Sequence, residues 1–240
     1  MATIVSLPDD RHLSQNFGTE LEAVRKHLLV MGGAVEKQVA DALTALVQGD
    51  SDLALAVRER EEGINDMEVA IDQEVARILA RRHPAATDLR LVLACAKAAT
   101  DLERIGDEAA KIARQALELI EQGESPRGYV EARHIGNHVG HMIQGSLNAF
   151  ARLDVNLALN VAKEDRAVDR EYRAAARDLA TYMREDPSVI NQLLSVMWVL
   201  RSMERIGDHA RNIAEHVIYV VKGTDVRHLN VKQMKQQLFS

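Results

Sequence analysis

The stretch Glu103-Arg104-Ile105-Gly106-Asp107 returns letter for letter as Glu204-Arg205-Ile206-Gly207-Asp208, 101 residues later (204 minus 103). Ala109, Ile112 and Ala113 recur in the same register as Ala210, Ile213 and Ala214. The chain is therefore internally duplicated. Each copy sets a Glu and an Asp four apart, which on a helix means one face and adjacent turns. Two like charges so placed repel by roughly 0.2 to 0.5 kcal/mol. Keeping that repulsion twice, at matching places, points to a cation between the carboxylates.

A second duplicated segment supplies the facing half. Leu53-Ala54-Leu55-Ala56-Val57 echoes Leu157-Ala158-Leu159-Asn160-Val161, an offset of 104 (157 minus 53), which aligns Glu61 with Asp165 and Asn65 with Asp169. Glu61 and Asp165 fall in slots where the apolar stripe expects a core residue, and a carboxylate there must be paired, neutralised or bound to metal. The candidate ligands are thus Glu103, Asp107, Glu204, Asp208, Asp165, Asp169, Glu61 and Asn65. Carboxylates with an occasional amide suit Mg, Mn, Ca, Fe or Zn. The competing expectation is a solvated flank in which Arg104 and Arg205 pair with neighbouring acids. Glu62 and Asp66 also stand four apart, but the repeat alignment selects Glu61 and Asn65, since one residue turns a helix by about 100°.

Other chemistry is less well marked. His134, His138 and His141 share a face, but their counterparts are Val30, Ala34 and Lys37, so they are expected to be surface histidines. Cys95 lies on an apolar stripe and reads as core. Trp198 reads as core packing, and Gly106 and Gly207, which cost about 1 kcal/mol each inside a helix, mark a close approach by another helix or a ligand. No nucleophile stands at a readable spacing from a base, and there is no phosphate-binding glycine loop.

Long helices must position these groups. Leu21, Val24, Leu28, Met31, Val35, Val39, Ala42 and Leu46 step by threes and fours, giving a first helix that stops near Gly49 and Asp50, with Ser51 or Asp52 capping the next. That helix runs from about Leu53 to Arg82, ending before Pro84. A third opens at Thr87 or Asp88 and carries Leu91, Cys95, Ala98, Leu102, Ile105, Ala109, Ile112, Ala116 and Leu119 at coiled-coil spacing. Gly123, Ser125 and Pro126 break the chain. The plan then repeats, ending in a helix with Val196, Val199, Met203, Ile206, Ala210, Ile213, Val217 and Val220 on its stripe. The expectation is an all-α protein of two tandem three-helix bundles, 17–123 and 126–222, with flexible termini at 1–16 and 223–240.

Composition agrees: 47% of residues are hydrophobic and 3% aromatic, which suits a core of Ala, Leu, Val and Ile between helices. A formal net charge of -6 without a long Lys/Arg block excludes tracking a nucleic-acid backbone. The first residues lack the pattern of a signal peptide, and no apolar run reaches the roughly 20 residues of a membrane span. With one cysteine, no disulfide forms within the chain, and a reducing cytoplasm is expected.

The doubled motif, with Asp88-Leu89-Arg90 ahead of the first copy, Asn212-Ile213-Ala214-Glu215 after the second and Arg227-His228 near the end, resembles the PhoU family of phosphate-signalling regulators over about 17–228. The resemblance implies two pseudo-symmetric three-helix bundles, a homodimer, and a cytoplasmic protein that meets the membrane only through partners. It implies a negative regulator of the phosphate-starvation response, linking the ATPase of the phosphate ABC transporter to a sensor histidine kinase. It also implies iron or zinc ions at acidic pairs, which map here to Glu103 and Asp107, Glu204 and Asp208, and Asp165 and Asp169. The fourth pair, Glu61 and Asn65, departs from the pattern. Two alternatives stand beside that reading. A carboxylate-bridged di-metal enzyme would need ExxH on two helices, and only Glu131 to His134 fits. A metal-free helical scaffold would use its acids against basic partners.

Overall fold

In the computed structural model, which describes residues 10–123 and 128–239, the described chain is helical with no strand. The first half holds α1 (Asp10–Gln48), α2 (Ser51–Glu59), α3 (Glu61–Arg82) and α4 (Ala86–Glu121). The second holds α5 (Tyr129–Arg152), α6 (Val155–Glu185), a 3-10 turn (Pro187–Val189), α7 (Ile190–Lys222) and α8 (Val231–Phe239). With α2 and α3 together forming one arm, each half is an up-down-up three-helix bundle. The stripes are buried as the periodicity requires: Val24 to Leu46 on α1, Cys95 to Leu119 on α4 and Val196 to Val220 on α7.

Four features differ from expectation. The helix expected over 53–82 breaks at Arg60. There Gln38 Nε2 donates to the Val57 carbonyl at 3.2 Å and Arg60 Nε donates to the Ala56 carbonyl at 3.1 Å. Both carbonyls would otherwise serve the helix ladder. In the second half the counterpart of Gln38 is Met142, which cannot donate, and α6 runs unbroken through the equivalent position. Capping differs too: Asp50 caps α2 through Leu53 N, Asp154 caps α6, and α4 starts after Ala85 without a side-chain cap.

More of the terminal segments is helical than the periodicity suggests. Helix α1 already includes residues 10–16, while residues 1–9 lie outside the described residues. Beyond Gly223, Val226 is buried and α8 buries Val231, Met234 and Leu238 and packs on α6. Those apolar residues recur at steps of three to five within a polar tail, enough to make one buried face. Finally, Trp198 is 65% exposed. It stands off the α7 stripe, and its repeat counterpart, Lys97, is exposed as well.

The expected domain boundary falls on the connection after Gly123; Ser125 and Pro126 lie outside the described residues. Packing does not respect that boundary. The apolar core is continuous across both halves. The most extensive helix pairing is α4 against α7, and α1 also meets α5. At the latter contact a Cβ on Gly136 would come within 2.7 Å of Leu43 Cδ2, and one on Gly32 would overlap Leu147.

Helices α4 and α7 are antiparallel, with Asp101 facing Asn212 and Glu108 facing Arg205. That register brings Gly106 level with Gly207, so the pseudo-two-fold relating the repeats passes between the two motifs. The glycines themselves face away from this interface. A Cβ on Gly106 would lie 3.3 Å from Ile64 of α3, and one on Gly207 would lie 3.5 Å from Val168 of α6. They admit the neighbouring helix of their own bundle, and their flanking acids are carried to the α3–α4 and α6–α7 grooves.

Candidate functional site

The second-bundle groove gathers Asp165, Asp169, Glu204 and Asp208. Asp165 is buried, Asp169 and Glu204 are half-buried, and Asp208 reaches solvent at the groove wall. Loss of water raises the Glu204 pKa, and Asp208, Asp169 and Asp165 add repulsion. Asp208 is likewise raised by the protein packed around it and then by Asp165 and Asp169. Burial raises Asp165 too, although Arg211 Nη1 donates to its Oδ2 at 3.0 Å. Arg201 donates to Glu204 Oε1 at 2.7 Å and Arg173 to Asp169 Oδ2 at 3.3 Å. Glu204 Oε2 is buried without any hydrogen-bond partner.

The first-bundle groove is weaker. Partial burial raises the Glu103 pKa, with Asp107, Glu68 and Glu61 adding to it. Arg104 lies 3.4 Å from Glu103 and 3.9 Å from Asp107. Glu61 is half-buried on the α4 side, whereas Asn65, Glu62 and Asp66 are exposed. The acid that sequence reasoning missed is Glu68, which accepts a 2.9 Å bond from Thr100 Oγ1 of α4. It stands seven residues beyond Glu61, two turns along the same face, a spacing legible in the sequence once the face is known.

The donor chemistry of the second groove fits a cation: four mutually repelling carboxylates, with one buried oxygen that has no partner. Among the described residues, however, no three His, Cys, Asp or Glu side chains are already gathered as a metal site. A cation would have to draw them in against Arg201, Arg173 and Arg211.

Between the bundles lies a cleft of about 900 Å³, lined by residues of α4 and α7 with Arg227 and His228. At its centre Asp101 receives His209 Nδ1 at 2.9 Å, His216 Nε2 at 2.9 Å and Asn212 Nδ2 at 3.0 Å. Burial opposes the Asp101 charge, but these three hydrogen bonds outweigh it and hold the pKa below the usual 3.8. Arg211 also bridges Asp165 and Glu215. His209, Asn212 and His216 step by three and four on α7, which is visible in sequence. Their partner lies more than a hundred residues away and has Ser202 as its repeat counterpart, so the duplication gives no hint of it.

Of the histidine trio, His134 and His141 are exposed as expected. His138 is half-buried, with Nε2 at 2.9 Å from Glu164 and Nδ1 at 3.2 Å from Glu171. Burial disfavours its charge, yet the two carboxylates prevail and raise its pKa. Cys95 is core, and burial pushes its thiol up to about 12.

Comparison with known proteins accounts for the duplication. The family model described as the PhoU domain matches residues 28–116 and again 132–217. A "Phosphate-specific transport system accessory protein PhoU homolog" from Pseudomonas putida is 62% identical over 227 residues, covering 95% of this chain and 89% of the relative. The Escherichia coli protein named "Phosphate-specific transport system accessory protein PhoU" is 45% identical over 233 residues, 97% of this chain and 96% of its own. The crystal structure of PhoU from Pseudomonas aeruginosa superposes with a TM-score of 0.85 at 62% identity, covering 87% of this chain and 100% of that one. That of the phosphate transport system regulatory protein PhoU from Streptococcus pneumoniae gives 0.81 at 28%, covering 88% and 99%. With both halves matching one domain and close relatives spanning nearly its whole length, the chain belongs to the PhoU family.

Proposed function

We propose that this protein regulates phosphate-specific transport as a non-enzymatic helical adaptor. In this reading it is cytoplasmic and homodimeric. It holds the phosphate-starvation response off while phosphate is plentiful by connecting the ATPase of the phosphate ABC transporter to a sensor histidine kinase. The observation that carries the reading is the doubled PhoU domain, in a chain whose relatives at 62% and 45% identity are named for the phosphate-specific transport system. The absence, among the described residues, of a helix long and apolar enough to cross a membrane is compatible with contact through partners. Metal, in this reading, sits first in the second-bundle groove. Glu204, Asp208 and Asp169 would hold it with Asp165 at hand, and a divalent or iron ion would take over these acids from Arg201, Arg173 and Arg211. The first groove, through Glu103, Asp107 and Glu61 with Asn65 exposed, binds more weakly, since an amide brings no charge to offset the cation.

The test is a deletion strain carrying a phosphate-starvation reporter in phosphate-rich medium. The reporter should switch on in the deletion strain, remain off when the sensor kinase is also removed, and return to off on complementation. Unchanged reporter output in the deletion strain would reject the regulatory role.

A further inference from the structure

The duplication copies the groove acids but not the cations around them. Arg201, Arg173 and Arg211 each bond one acid of the second groove, yet their repeat counterparts are Thr100, Val69 and Ala110 (201 minus 101, 173 minus 104, 211 minus 101). In the first groove Thr100 instead donates to Glu68, and the guanidinium beside Glu103 is that of Arg104, which belongs to the motif itself and stands 3.4 Å away. Four carboxylates of the second groove thus meet three added arginines, which offset most of the charge that the acids share.

The three arginines are not alike. Arg211 donates to Asp165 at 3.0 Å, Glu215 at 2.8 Å and the Leu229 carbonyl at 3.4 Å, so it is a strut whether or not it keeps Asp165. The Arg173 side chain is 69% exposed and reaches Asp169 at 3.3 Å, a contact that water and salt weaken. Arg201 makes the shortest bond of the set, Nη1 to Glu204 Oε1 at 2.7 Å, and among the described residues it has no second carboxylate within 4.0 Å. Its guanidinium carbon also lies 6.0 Å from the centre of the Tyr172 ring of α6. That ring offers the cation a seat once the carboxylate is given up, while the partnerless Glu204 Oε2 stays buried in the groove.

Resting on the metal reading of this groove, we infer that Arg201 is a built-in competitor: its guanidinium holds Glu204 in the metal-free protein, turns out toward Tyr172 before a divalent cation enters, and so sets the cation concentration at which the second groove fills. A site that is open only while a side chain is away binds with an affinity reduced by the open fraction. An arginine that holds Glu204 about nine-tenths of the time therefore weakens binding about tenfold. The first groove has no such lock, since Thr100 stands at the matching place. The lock moderates the groove that gathers more carboxylates, and two grooves of common origin come to fill under different rules.

Calorimetric titration of Mn2+ into the chelator-treated full chain tests this. Arg201→Gln should bind at least about tenfold more tightly than the wild type, with unchanged helix content, since the Arg201 side chain is half exposed. Arg205→Gln removes the same charge one turn along α7, but from Glu108, and should leave the affinity as it is. In a Glu204→Gln background, Arg201→Gln should bring no gain, because no carboxylate is left to release. Equal affinities of the wild type and Arg201→Gln would overturn the competition while leaving the metal site standing. So would a gain that persists without Glu204, or one that Arg205→Gln reproduces. If neither the wild type nor Arg201→Gln takes up Mn2+, Zn2+ or Fe2+, the metal reading itself falls, and the inference with it.

Discussion

At the scale of single residues, Glu204 is a carboxylate the fold leaves half satisfied: Arg201 bonds Oε1 at 2.7 Å, while Oε2 is buried without a hydrogen-bond partner. Its raised pKa means that the folded state binds a proton more readily than the unfolded chain, so folding gains at low pH and loses that gain as pH rises through the folded value. Even with Arg201 bonded to it, the ionised acid is therefore a net burden at neutrality, because lost water and the neighbouring carboxylates outweigh that arginine. In chelator at pH 7, Glu204→Gln is expected to melt at a higher temperature than the wild type, and the difference should vanish below about pH 4, where Glu is protonated in both states. Excess divalent metal should then raise the wild-type melting temperature more than that of the variant. Equal stabilisation of both by every metal tried would remove Glu204 from the ligand set.

At the scale of elements, the duplicated glycines are not equivalent. Both let a neighbouring helix approach, but the space differs: a Cβ on Gly106 meets Ile64 at 3.3 Å with the buried Gln38 amide nearby, whereas one on Gly207 meets Val168 only at 3.5 Å. Helix propensity favours Ala over Gly by about 1 kcal/mol. Gly207→Ala is therefore expected to stabilise by up to about that amount, and Gly106→Ala to gain clearly less or to destabilise. Urea denaturation of the two variants side by side measures the difference. The broken arm of the first bundle has the same origin, in one buried polar side chain, Gln38, whose counterpart Met142 leaves α6 intact.

At the scale of the molecule, the bundles are fastened along α4 and α7, and Asp101 is the main polar tie. Replacing it by Asn removes the charge that gathers His209, His216 and Asn212, an expected loss of about 1 to 3 kcal/mol. That corresponds to about 2 to 4 °C in melting temperature per kcal/mol for a chain of this size. Because the Asp101 pKa is lowered, its contribution is present above the unfolded value and is lost as pH falls through the folded one. The gap between Asp101→Asn and wild type should therefore hold from pH 7 to 5 and close only below the ordinary value of 3.8. Thermal melts across that range read it directly.

Local periodicity, carried in adjacent letters, determined the helices, their buried stripes and the duplication, because burying one face of a helix constrains every third or fourth residue. Register also separates half-buried Glu61 from exposed Glu62, since a one-residue shift turns the side chain, although Asn65, one turn on from Glu61, is exposed. What it could not contain were contacts between residues distant in the chain. Asp101 meets His209 and His216 only because α4 and α7 run antiparallel. Arg211 claims Asp165 across a groove, and Gln38 reaches the Val57 carbonyl from another helix. Trp198 is hydrophobic but off the α7 stripe, and register leaves it exposed; the three apolar residues of α8 gain a buried face only because α6 stands beside them. Each of these was decided by packing, where side chains compete for partners that no sequence neighbour reveals.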